Sequence, residues 1–149
     1  MINNYIKMIC GMLSLPMPQV FYNDSALLPD EHARLTPDGK RLYLRKLKAA
    51  SLDQLFAAAA ELRREWQRRT DNELYFGSYR PREELSLREF SLQPSEVDAN
   101  AFGAVVVLAF FGVDPVFDEL PGVARSRIEA RAEEIRKTEF PDLAKMAPH

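Results

Sequence analysis

The stretch Ala57-Ala58-Ala59-Ala60-Glu61-Leu62-Arg63-Arg64-Glu65-Trp66-Gln67 restricts the fold more than any other part of the chain. It lies in a longer run where Leu52, Leu55, Phe56, Ala59, Leu62 and Trp66 recur at helical spacing, which predicts an amphipathic helix with this stripe against the core. Ser51, followed three residues later by Gln54, supplies a capping box, so the helix is expected from Ser51 to about Arg69. On such a helix Ala60 and Arg64 share a line far round from the stripe and Glu61 sits on its flank. Those three are expected to face a cleft or solvent.

The rest of the chain reads as support for this helix. Ile2, Ile6, Ile9, Met12 and Leu13 mark an amphipathic helix over 2–14, which Pro16 and Pro18 stop. Gln19 to Tyr22 suits a short edge strand. Residues 23–40 carry Asn-Asp-Ser, Leu-Pro-Asp and Thr-Pro-Asp-Gly, the chemistry of a loop. Arg41 to Arg45 alternates, with Leu42 and Leu44 on one face, and reads as a half-buried strand. Residues 71–94 are irregular, with one short helix near Arg82 to Arg88. Ser95 is a natural N-cap for a helix that Gly112 ends, and the cap and the length of the run outweigh the strand propensity of Val105-Val106-Val107. A last helix, Val123 to Lys137, turns Val123, Ile128, Ala132 and Ile135 inward and packs at the rim, with a loosely held tail from Pro141. The fold class is α+β, mainly helical with a small β-sheet or hairpin. One domain over 1–149, with its core in about 2–137, is the simplest division.

Bulk properties exclude several functions. A formal charge of -2 gives no general drive towards nucleic acid. The densest basic cluster, Arg63, Arg64, Arg68, Arg69, Arg80 and Arg82, is interleaved with Glu61, Glu65, Asp71, Glu73, Glu83 and Glu84 and reads as a solvated face. Cys10, the single cysteine, excludes an internal disulfide and any zinc site built on two thiolates. His32 reads as a solvated loop residue and His149 as a terminal one, so no three groups show a metal-ligand spacing. The start of the chain reads as a helix and not as a signal peptide, and the apolar run Ala99 to Val113 is shorter than the roughly 20 residues of a membrane span. The expectation is a cytoplasmic protein with no membrane partner. Exposed tyrosine and arginine are typical interface anchors, so Tyr75 to Tyr79 is a candidate protein-contact surface.

Two segments together carry a resemblance. In H-E-x-x-H, histidines four apart on one helical face bind one zinc and the glutamate between them polarises the metal-bound water. Here the corresponding five residues are Ala60-Glu61-Leu62-Arg63-Arg64, followed by Trp66 and Gln67 and preceded by the strand Arg41 to Arg45. The later Glu96-Val97-Asp98-Ala99-Asn100-Ala101-Phe102 is similar to the E-x-x-A-N-x-F signature that brings the third ligand in ImmA/IrrE-type metallopeptidases, compact zincins often carried on mobile elements. The resemblance spans residues 16–112 and implies a zincin-like domain.

Carried over residue by residue, it makes Glu61 the match of the general base and Glu96 that of the third ligand. Ala60 and Arg64 stand at the two histidine positions. Alanine cannot coordinate and a guanidinium stays protonated, so the resemblance implies a scaffold without metal, cofactor or peptidase chemistry. Two carboxylates converging without a cation repel, and Arg64 is expected to supply the charge, its fork bridging one or both of Glu61 and Glu96 where the zinc would sit. The function implied is a non-catalytic protein-binding or regulatory module, of the kind used in mobile-element regulation, host-defence inhibition or toxin neutralisation. Its partner is another protein, met by Arg63, Arg64, Tyr75, Tyr79 and Asn100 and by the loops 23–40 and 71–94. The alternative is a working metal-dependent hydrolase with an atypical site that includes Glu61 and Glu96. A plainer reading makes residues 60–64 an ordinary charged helix face, Glu96 and Asp98 first-turn acids and Asn100 a buried or capping polar group.

Overall fold

A computed structural model of the chain describes residues 1–143 and shows a mainly helical α+β fold with a three-stranded sheet. Its contacts divide it into two compact units, Met1–Trp66 and Gln67–His149.

The first unit begins with α1 (Ile2–Leu13), which buries Tyr5, Ile6, Ile9, Cys10 and Leu13 along one broad stripe. Ser14 ends it in the left-handed region (φ 54°), and the Leu15 N–H closes back on the Cys10 carbonyl at 2.9 Å. Three strands follow, β1 (Gln19–Tyr22), β2 (Ala33–Leu35) and β3 (Arg41–Leu44), in the order β1-β3-β2. β1 runs parallel to β3 with Val20 opposite Leu42, and β2 runs antiparallel to β3 with Leu35 opposite Leu42. The central strand obeys the expected alternation, since Leu42 and Leu44 are fully buried and Arg41 is exposed.

The expected loop over 23–40 is corrected: it contains a 3-10 turn at Asp24–Ala26 and the strand β2. Three residues are too few to show a period, and β2 is defined by its pairing to β3. The turn between them is fixed locally. The Asp38 carboxylate accepts the Thr36 hydroxyl at 2.6 Å and the Lys40 N–H at 3.0 Å, and both bonds hold its pKa below the usual carboxylate value. Gly39 supplies the positive φ of 72° that the turn needs.

Helix α2 (Leu52–Phe76) starts where the sequence indicates, with the Ser51 hydroxyl accepting the Gln54 N–H at 3.1 Å. The other half of the expected capping box is diverted, because the buried Gln54 amide donates to the Arg45 carbonyl at 2.8 Å. A buried bond of 2.7 Å from the Tyr5 hydroxyl to the Leu55 carbonyl ties α1 to α2. The helix breaks at Asp71 (φ -157°, ψ 77°), close to the expected end at Arg69. There the Asp71 carboxylate accepts the Leu74 N–H at 3.1 Å and so caps a further short helical piece.

In the second unit, α3 (Leu87–Ser91) carries a complete capping box between Ser86 and Glu89. It is followed by α4 (Pro94–Phe111) and α5 (Gly122–Glu134). The first residue of α4 is Pro94 and its N-cap is Gln93, so Ser95 lies inside the helix and is not the cap expected of it. Gly112 ends α4 with φ 69°, as its position suggests. Val105, Val106 and Val107 are helical and buried: strand propensity yields to a helix enclosed on nearly all sides. By length and composition α4 is the one described helix that is long and apolar enough to span a membrane, yet 61% of that span is buried inside the protein. It is the core helix of its unit.

Helix α5 turns Ala124 and Ile128 inward and leads into a π-helical turn, Ile135–Glu139, where Ile135 is fully buried. Val123, expected inward, is 37% exposed. Of the tail expected from Pro141, Pro141 and Asp142 are exposed and Leu143 is buried; residues 144–149, with His149, lie outside the described residues.

Burial pushes the Cys10 thiol from 9.0 up to about 11 and raises the Tyr5 hydroxyl as well. Both groups ionise more readily in the unfolded chain. The contribution of Cys10 to stability is therefore intact below the unfolded thiol value of 9.0 and is lost as pH rises towards 11, and that of Tyr5 is lost at higher pH still. Urea denaturation midpoints should fall between those two pH values, and at pH 8 iodoacetamide should modify Cys10 at least about 100-fold more slowly in the native protein than in urea. Equal rates would contradict the packing of α1.

Candidate functional site

The helix that defines the candidate site is enclosed on more than one side. Besides Leu55 and Leu62, it buries Ala58, Ala59, Ala60, Arg63, Glu65 and Gln67. The stripe through Ala59 marks one inward side, but alanine packs on any side, and the structure encloses Ala58 and Ala60 as well. Ala60, expected at a cleft or in solvent, is only 3% exposed. Arg63, placed with the solvated basic cluster and among the partner-contacting residues, is fully buried; its guanidinium carbon lies 3.6 Å from the centroid of the Trp66 ring. A desolvated guanidinium over an indole face is worth about 2 kcal/mol, which offsets part of the cost of burying the charge. Arg63 is thus a component of the helix packing and not a surface contact.

Glu61 and Arg64 remain half-buried, and their charged groups approach to 3.9 Å across one helical turn. That distance is within the reach of an ion pair. His32, read as solvated, is half-buried, and its Nδ1 is enclosed without a hydrogen-bond partner.

In the second unit the residues of Glu96 to Phe102 separate into two settings. Glu96, 6% exposed, accepts a hydrogen bond from the Tyr79 hydroxyl at 3.2 Å, so two candidate residues meet. Tyr79 is itself half-buried between Phe76 and Phe90, with ring centroids 5.4 and 6.2 Å away in edge-to-face geometry. Tyr75, expected as an exposed anchor, is buried at 8%. The aromatic segment 75–79 is therefore mostly a packing element. Asn100 is half-buried further along α4.

Asp98 lies at the centre of the second setting. One of its oxygens accepts the Gln67 amide at 2.8 Å, and the other accepts Nε and a terminal nitrogen of Arg131, each at 2.8 Å. The Gln67 amide also donates to the Ser95 carbonyl at 3.1 Å, and its oxygen accepts the Ser95 hydroxyl at 2.6 Å. Arg131 reaches on to Glu134 and to Glu139, the latter at 3.1 Å. Burial works against the Arg131 charge, but the charge and hydrogen bond of Asp98 outweigh it and raise the guanidinium's pKa. Asp98 and Arg131 also form part of the wall of an open cleft of ≈ 330 Å³, with Tyr75 and Arg127 beside them.

Gln67, Ser95, Asp98 and Arg131 were not legible as a group. Ser95 and Asp98 resemble ordinary first-turn residues, and Arg131 is one charge among many on α5. A buried-side glutamine at the end of an apolar stripe is the sole signal the sequence offers.

The residues at the two histidine positions do not fit a metal. Ala60 has no donor atom, and the guanidinium of Arg64 lies against Glu61. Among the described residues no three histidine, cysteine, aspartate or glutamate side chains are grouped so that they could hold a metal ion. No family model, curated protein or solved structure matches the chain.

Replacing Asp98 with asparagine leaves Arg131 without its buried counter-charge and should cost about 3 kcal/mol of stability. The exposed Arg80–Glu84 pair serves as the control, and Glu84→Gln there should change almost nothing. Urea melts of the two variants give the comparison; equal losses would remove Asp98 from its organising role.

Proposed function

We propose that the chain is a non-catalytic protein-binding or regulatory module built on a zincin-like scaffold that has given up its metal. The observation that carries this reading is the pairing of Glu61 with Arg64. At the position of a general base stands a glutamate whose nearby charge, 3.9 Å away, is a guanidinium four residues after the donorless Ala60. A guanidinium repels a divalent ion, so the arrangement suits a salt bridge and not a metal-activated water. The order of elements, with a strand leading into the helix of Glu61 and a later helix opening with Glu96, supports the same reading. The binding role, the cytoplasmic location and the connection to mobile-element regulation, defence or immunity belong to this proposal.

The scaffold reading is tested by restoring the ligands. The double variant Ala60→His with Arg64→His should gain zinc binding that wild type lacks, seen by calorimetric titration with zinc chloride. A folded double variant that takes up no zinc would reject the zincin register. Zinc-dependent cleavage of a peptide by the wild-type chain would replace the binding module with the hydrolase.

A further inference from the structure

The sheet of the first unit leaves its two edges in different states. The β2 edge is three residues long and carries the exposed Arg34, paired to Glu31 at 2.8 Å, so a charge guards it. The β1 edge has no such guard. Its four residues, Gln-Val-Phe-Tyr, are uncharged, and Phe21 and Tyr22 are 40% and 50% exposed.

The backbone of β1 is oriented for pairing. The Gln19 N–H bonds to the Lys40 carbonyl at 2.9 Å and the Asn23 N–H to the Leu44 carbonyl at 3.1 Å, so the odd-numbered residues face β3. By the alternation of a strand, the N–H and C=O groups of Val20 and Tyr22 point the other way. Among the described residues no strand pairs with that side.

At the C-terminal end of β1 lies a pocket of ≈ 540 Å³. Ile2, Tyr22, Leu47 and Ala50 give it apolar walls, Lys46 and Lys48 line it as well, and no carboxylate is among its lining residues. Both lysines are exposed, and among the described residues neither is ion-paired.

We propose that β1 and this pocket form a docking site for an extended acidic segment of a partner protein, which adds to the sheet as a fourth strand. The free donors and acceptors of Val20 and Tyr22 pair with the incoming backbone. An apolar side chain of the segment fills the pocket, and flanking carboxylates meet Lys46 and Lys48. Charge selects this occupant over a second copy of the chain, because the Gln19–Tyr22 edge of another copy brings no carboxylate to the lysines. The inference concerns other residues than the pair on α2 and stands apart from the reading of that helix.

The test is titration of the ¹⁵N-labelled full chain with a blocked peptide of about ten residues that alternates valine and glutamate, beside the same peptide with lysine for glutamate. The expected result is that the amides of Val20, Tyr22, Lys46 and Lys48 shift with the glutamate peptide and not with the lysine peptide. The double variant Lys46→Glu with Lys48→Glu should weaken the glutamate peptide at least about tenfold and favour the lysine one. Val20→Pro, which removes an outward donor and no bond to β3, should abolish binding while the β3 amides keep their protection. Shifts confined to other residues, equal response to both peptides, or concentration-dependent self-association through β1 without peptide would each overturn the proposal.

Discussion

A single buried carboxylate, Asp98, holds together the part of the chain on which the second unit depends. It is 2% exposed, and a glutamine amide and a guanidinium donate to its two oxygens. It holds Gln67, whose amide also bonds the Ser95 hydroxyl and carbonyl in the first turn of α4, and it holds Arg131 on α5. Buried ion pairs add little net stability compared with apolar packing of the same volume, but they fix geometry, since a shift of any partner strands a charge. α4 needs such a reference. From Ala101 to Phe111 it is wholly apolar and largely enclosed, so its rotation is set by the polar residues of its first turns.

The same logic runs through the other acids and bases of these helices. Glu96 is met by a tyrosine hydroxyl, Glu61 by the charge of Arg64, and the buried Arg63 by the face of Trp66. Glu61, Arg63, Glu96 and Asp98 are thus met by a counter-charge, a ring face or protein donors. A helix bearing a working metal site would leave donor atoms directed into a cavity. In these contacts the polar residues of α2 and α4 serve internal packing.

Much of the fold was legible because its signals are local. Ser51 and Gly112, the alternation of Leu42 and Leu44 and the stripe of α1 each fix an element through a cap, a turn or a period, and all four stand in the structure. What was missed depends on tertiary contact. β2 exists only through pairing, Ser95 gave up the cap for Gln67, and Arg63 and Tyr75 went inward because neighbours supply a ring face or an enclosing wall. Polar side chains were read as outward-facing, and a one-dimensional pattern cannot show which of them find partners inside. The candidate site was legible as a pair of helices and illegible as a network for the same reason.

The central claim is that these helices satisfy their charges without a metal, and the zinc content of the native wild-type protein tests it most directly. Elemental analysis by mass spectrometry, on protein purified without chelators, should find less than ~0.1 zinc per chain, and EDTA should leave the thermal midpoint unchanged. Stoichiometric zinc, with a midpoint that drops when the chelator is added, would contradict it.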